Sequence, residues 1–122
     1  MRLDAKRRAE RRGHGAELLC LWHLRLRGYR ILARRFRVPS GEIDLIARRG
    51  QVLAAIEVKA RHSIASASES VSPRQRRRIG RALAHFVAMR PTLAGLTLRF
   101  DVMLVAPGKL PLHLADAWRD GF

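Results

Sequence analysis

Cysteine is almost missing from this chain of 122 residues: Cys20 stands alone, so no intrachain disulfide can form. The histidines (His14, His23, His62, His85, His113) are scattered, and no Cys/His spacing suits structural zinc. No apolar run reaches membrane-spanning length. The patch LLCLWHL behind the basic N-terminus is short and has no small-residue cleavage site after it, which does not match a signal peptide. A reducing compartment, the cytoplasm, is expected. Aromatics are few (four Phe, two Trp, one Tyr), which argues against a stacking platform for single strands. Lysine is also scarce: Lys6, Lys59 and Lys109 stand against 22 arginines.

Acidic residues are outnumbered by basic ones, 10 to 25, for a net charge of +15. Such a field attracts polyanions, with nucleic acid the commonest. An arginine-rich composition can also arise without a ligand, so charge alone assigns none. No strongly apolar amphipathic face accompanies the charge, which places nucleic acid ahead of a membrane surface. With 48% hydrophobic residues, the chain is long and apolar enough to fold as one domain over residues 1–122.

Hydrophobic spacing predicts the order α-β-β-β-α-β, an α/β mixed sheet with helices packed against it. A helix is expected from about Leu3 to Arg27, with Gly13–His14–Gly15 dividing a frayed basic arm (residues 1–12) from a packed second half. Gly28, after Arg25 and Arg27, signals the helix end. YRILARRFRV, EIDLIA and QVLAAIEVK read as strands, the last two forming a hairpin. His62 to Ser72 reads as a polar loop. Ser72 and Pro73 suit the N-cap and first position of a helix whose apolar face is Ile79, Leu83, Phe86 and Val87. LTLRFDVMLVA is a further strand, and the tail offers a short strand or turn.

The hairpin carries Glu42, Asp44, Glu57 and Lys59 inside apolar strands. An even loop centred on Arg49–Gly50 pairs Ala47 with Val52, Asp44 with Ala55 and Glu42 with Glu57. All four charged residues then face one way, and Asp44 and Glu57 become diagonal neighbours roughly 7–8 Å apart. Three carboxylates on one face need a cation, either a divalent metal such as Mg²⁺ or Mn²⁺ or an arginine clamp. A solvated face with ordinary salt bridges is the plain alternative. Lys59 occupies the most suggestive of the three lysine positions, and a lysine can hold or activate a water as an arginine cannot.

A carboxylate in one strand followed by Glu-x-Lys in the next resembles the PD-(D/E)XK nucleases. AELLCLWHLRLRGYRILARRFR, GEIDLIA, IEVKAR, VSPRQRRRI and RFDVMLV resemble more closely the YraN-like family, an uncharacterised bacterial group similar to archaeal Holliday-junction resolvases. This resemblance spans about Gly13 to Val105. It implies a restriction-endonuclease-like core and a Mg²⁺- or Mn²⁺-dependent endonuclease acting on DNA, branched DNA included. Asp44 and Glu57 match the metal-binding carboxylates, the Val58 carbonyl a further ligand, and Lys59 the lysine that orients the attacking water. Glu17 matches an acidic residue that completes such sites, though a Glu at the edge of the Cys20/Leu21/Leu24 stripe has an ordinary reading too. Gln75 matches a helix glutamine near the site in related nucleases, with phosphate contact or solvation as the plainer reading. Arg74, Arg77, Arg78 and Arg81 are expected to track phosphates, on DNA more than RNA. Resolvases of this type act as dimers, so a homodimer is implied. The sequence departs from the family pattern at Cys20 (where a small alanine is usual), Arg35 (where asparagine is usual), Ala54–Ala55 and EID in place of Pro-Asp. Asp101 is expected to pair with an arginine rather than bind metal. A non-catalytic or partner-dependent nucleic-acid-binding module that keeps the nuclease fold stands as the alternative function.

Overall fold

A computed structural model describes residues 15–60 and 70–119. The basic arm, the Gly13–His14 part of the helix break and the loop from His62 to Glu69 lie outside the described residues. A first helix, α1, covers residues 15–26. It ends as its residues dictate: Gly28, at φ 89°, allows Tyr29 N–H to bond the Leu24 carbonyl at 3.0 Å and Gly28 N–H the Arg25 carbonyl at 3.1 Å. This is a Schellman cap. Strands β1 (Arg30–Val38), β2 (Gly41–Arg49) and β3 (Val52–Ala60) follow, then α2 (Pro73–Ala88), a short 3₁₀ turn at Pro91–Leu93, β4 (Thr97–Val105) and β5 (Leu112–Trp118). The expected order is borne out, and the tail resolves into strand β5.

The five strands lie in sequence order, β1-β2-β3-β4-β5. All neighbours are antiparallel except β3 and β4, which run parallel and are joined through α2. A parallel pair needs such a crossover. Ser72 caps α2, its Oγ accepting from Gln75 N–H at 3.1 Å, and Pro73 fills the first turn.

Each sheet face carries a helix. Ile79, Leu83 and Phe86 of α2 pack on Ile43, Ile46, Leu53, Ala55, Phe100 and Val102. Cys20 and Leu24 of α1, with Tyr29, pack on Leu45, Ala47, Ala54, Ile56 and Met103. The β1–β2 turn is pressed against α2 so closely that a Cβ on Gly41 would overlap the Arg78 carbonyl. The glycine of GEIDLIA therefore serves backbone approach.

One local feature breaks the strand period. Strict alternation would put Ile43, Leu45 and Ala47 on one face, yet Ile43 packs in the α2 layer and the other two in the α1 layer. The switch falls at Asp44. Opposite it in β1 lies Arg35, between the pairs Arg34–Leu45 and Phe36–Ile43. Arg35 has φ 49°, a left-handed conformation uncommon for a residue with a long side chain. A non-glycine residue held there costs about 1–2 kcal/mol.

Candidate active site

The hairpin register places the central carboxylates. Its ladder runs from Arg49–Val52 to Leu45–Ile56, so Ala47 faces Ala54 and not Val52. The expected register is thus corrected by two residues. The cause is the turn: Gly50 takes φ 61° while Gln51 stays out of the positive-φ region, the pattern of a two-residue type II′ hairpin loop, tighter than the loop expected. A two-residue shift keeps parity. The next pair along the same register is Asp44 with Glu57, directly opposite instead of diagonal.

At that point the ladder stops. Val58 N–H is taken by Asp44 Oδ2 at 2.9 Å, a side chain substituting for the backbone partner that β2 would otherwise supply. The strands therefore splay with Asp44 and Glu57 lining the opening. Glu42 does not join them. It pairs with Arg37 at 3.4 Å, and both side chains are largely exposed. The face switch at Asp44 explains why alternation from Asp44 misplaces it.

Glu57 is buried and sits in a short relay. Gln75 Nε2 donates to Glu57 Oε1 at 2.9 Å, and Lys59 Nζ donates to Gln75 Oε1 at 3.4 Å. Lys59 Nζ also lies 3.6 Å from Glu57 Oε1. Gln75 reaches them because it occupies the third position of α2, held by the Ser72 cap. In Ser-x-x-Gln the glutamine ordinarily folds back on its own cap; here its side chain turns to the strands.

The two carboxyls share a hydrogen bond that favours ionised Asp44 and protonated Glu57. Burial raises the Asp44 pKa, the Val58 N–H opposes that, and Glu17 adds to it. Burial also pushes Glu57 up, to about 8, with the Asp44 charge adding and Lys59 opposing. Below them on the α1 face, the Cys20 thiol is driven up to about 12 by burial and then by Asp44 and Glu17, so it is a neutral packing group.

Glu17 approaches from α1 and is buried. Its Oε2 accepts from Arg35 Nε at 2.9 Å. Among the described residues, no three His, Cys, Asp or Glu side chains are placed to hold one metal ion together. Asp44, Glu57 and the Val58 carbonyl nonetheless form an all-oxygen set in which the half-buried Asp44 raises the pKa of the buried Glu57. Such a set fits a hard divalent cation.

Arg74, Arg77 and Arg81 are exposed and Arg78 is half-buried. Their spacing lays them along one side of α2, with Gln75 beside the carboxylates. Sequence reasoning missed the roles of two groups, the Gln75 bridge and the Arg35–Glu17 pair. The cap Ser72-Pro-Arg-Gln75 and the resemblance were the signals for the first; only the unusual arginine at position 35 marked the second.

Asp101, the other charge in an apolar strand, is fully buried and fully paired. Arg99 meets it with Nε at 2.9 Å and Nη2 at 2.8 Å, His113 Nε2 lies at 2.7 Å, and Asp116 N–H donates at 2.9 Å. Its expected arginine partner is present.

A splayed mixed sheet flanked by helices, with carboxylates on adjacent strands and a lysine two residues on, defines the restriction-endonuclease-like class of α/β fold. The chain belongs to the uncharacterised protein family UPF0102, the YraN-like family, whose model matches residues 16–105. It is 54% identical to a UPF0102 protein of Parvibaculum lavamentivorans over 91% of this chain and 84% of that one. A UPF0102 protein of Paramagnetospirillum magneticum is 50% identical over 94% and 92%, and one of Methylobacterium nodulans 51% identical over 88% and 83%. Among the described residues, no helix is long and apolar enough to cross a membrane.

Proposed function

We propose that this protein is a Mg²⁺- or Mn²⁺-dependent nuclease that hydrolyses phosphodiester bonds in DNA, branched DNA included. The observation that carries the reading is the Asp44–Glu57 pair: a half-buried and a buried carboxyl face each other where the strands part, sharing a hydrogen bond, with Lys59 alongside. Folding has placed these groups at a cost that a bound cation would offset. Asp44, Glu57 and the Val58 carbonyl would hold the ion. When bound, such an ion polarises the phosphate and eases deprotonation of the attacking water.

The chain's own residues do the rest. Lys59 Nζ, set between Glu57 and Gln75, donates to the water and fixes its approach. The same ammonium offsets charge that develops on the phosphate oxygens. Gln75 keeps Lys59 and Glu57 in fixed relation. Arg74, Arg77 and Arg81 bind backbone phosphates, which positions the duplex without reading its sequence.

The test is a Mg²⁺/Mn²⁺ cleavage panel of junction, flap, duplex and single-stranded DNA. Asp44→Ala should abolish cleavage while DNA affinity stays within about threefold, since affinity rests on the arginines. Neutralising Arg74, Arg77 and Arg81 together should lower the salt dependence of binding by about three phosphate contacts. Cleavage surviving in both Asp44→Ala and Lys59→Ala would sink the assignment.

The second reading is a non-catalytic or partner-dependent binding module, favoured by the lack of a three-residue donor group among the described residues. Calorimetry without Mg²⁺ or Mn²⁺ heat would select it. Competition between duplex DNA, branched DNA and RNA at fixed salt separates DNA from RNA as the partner.

A further inference from the structure

We propose that Arg35 withholds Glu17 from the metal site, leaving Asp44 and Glu57 as the site's acidic side-chain ligands. The inference rests on the metal-dependent reading above. Four observations carry it.

Arg35 Nε lies 2.9 Å from Glu17 Oε2, and the Glu17 side chain is only 11% exposed. A buried carboxylate bound this way is committed to its guanidinium, because parting them would strand a charge away from water. The backbone is arranged to make that contact. Arg35 sits at φ 49° inside a nine-residue strand. Its neighbour Arg34 pairs with Leu45 of the α1 layer and lines one cleft with Leu18, Trp22 and Arg25 of α1. On the other side Phe36 meets Phe86 of α2, ring centroids 5.1 Å apart. Alternation would put Arg34 and Phe36 on one face, so the left-handed residue between them is what turns the guanidinium towards α1, opposite Asp44. A strained residue beside a reactive centre is a known place for function to reside.

Charge balance points the same way. Lys59 lies by Glu57 and Arg35 by Glu17. What is left is the Asp44–Glu57 pair, two carboxyls beside the single Lys59 ammonium. Finally, although Asp44 and Glu57 adjoin, no third acidic, histidine or cysteine side chain completes a metal-holding group with them among the described residues.

Mn²⁺ calorimetry on the full chain tests the inference. Glu17→Gln should bind Mn²⁺ within about twofold of the wild type, since Glu17 is not a ligand. Arg35→Asn should bind about tenfold tighter, because it frees a third carboxylate; partners of metal ligands move affinity on that scale. Asparagine is the replacement of choice because it accepts left-handed φ. Arg35→Asn with Glu17→Gln should lose the gain. A tenfold loss in Glu17→Gln alone, or unchanged or weaker binding in Arg35→Asn, overturns the inference. Should Arg35→Asn misfold, Glu17→Gln alone still decides. Absence of Mn²⁺ heat in the wild type defeats the metal reading first and this inference with it, whereas wild-type binding that Asp44→Asn removes leaves that reading standing whatever Glu17 does.

Discussion

Two places in this sheet bury acid, and they resolve the problem in opposite ways. Asp101 on β4 has a bidentate arginine, a histidine and a backbone N–H around it. Burial alone would raise its pKa, but His113 and then Arg99 more than reverse that, and the carboxyl ends below its ordinary value. Asp44 and Glu57 on β2 and β3 have each other, one N–H, a glutamine and a shared lysine. There burial dominates and both values rise. The first cluster is complete within the chain; the second has one lysine for two carboxyls. Burial of a carboxylate therefore says little by itself; the number of donors around it decides which way its pKa moves.

The largest stability effect should fall on the complete cluster. Asp101→Ala would leave Arg99 and His113 without their anion in a nearly closed space. Removing one partner of a buried pair costs about 3–5 kcal/mol. Arg99 Nη2 would keep only Tyr29 Oη, now 2.6 Å away. Glu57→Gln should do the reverse, leaving stability unchanged or raised, because it removes the group that must otherwise stay protonated. Urea denaturation of both variants without divalent metal checks the contrast, and equal losses would erase it.

Acidity offers the next separation. Glu57 in the folded chain holds its proton up to about pH 8, while the unfolded chain releases it near its ordinary 4.5. The native state thus binds more protons across that window, so this group makes stability fall as pH rises from about 4.5 to about 8 and level off above. Mg²⁺ should flatten the fall by favouring the ionised pair. Asp101 has the opposite sign. Its contribution is present above the unfolded value of 3.8 and is lost as pH falls through its lower folded value. Urea midpoints at about pH 5 and about pH 9, with and without Mg²⁺, measure the first effect; acid unfolding of wild type against Asp101→Asn measures the second.

Much of this was legible in the residues. Gly28 after two arginines, Ser72–Pro73 and the apolar spacing of α2 are local signals, and each element begins or ends where they put it. Parity of the hairpin also held, so Asp44 and Glu57 meet. The exact register did not, because Arg48-Arg49-Gly50-Gln51 admits more than one even loop and only the glycine's φ selects the tighter turn. Glu42 was misplaced for a deeper reason. Period counting assumes an unbroken strand, and an arginine gives no hint that it will adopt a left-handed conformation. The same event set the Arg35–Glu17 pair beyond reach, since it depends on which way one backbone unit turns. Gln75 belonged in between: its place on α2 was readable, its partners were not.

Gln75 supplies the smallest effect and the finest test of the contrast. It is half-buried, neutral and outside both carboxylate clusters by sequence, yet it touches Glu57 and Lys59. Were its bonds structural, as those around Asp101 are, Gln75→Ala would lower stability appreciably. One bond to a protonated Glu57 and one long bond to Lys59 at a splayed edge should instead cost only about 1 kcal/mol. The functional cost should be larger. Without the bridge, Lys59 regains rotamer freedom and meets the attacking water less often, so kcat should drop about tenfold while KM for DNA holds. Gln75→Glu sharpens the point, for it adds a third carboxylate beside Glu57 and should tighten Mn²⁺ binding even as it pulls Lys59 away from the water. A kcat that follows stability in both variants would mean that Gln75 only packs, and that the relay through Lys59 has no part in the chemistry.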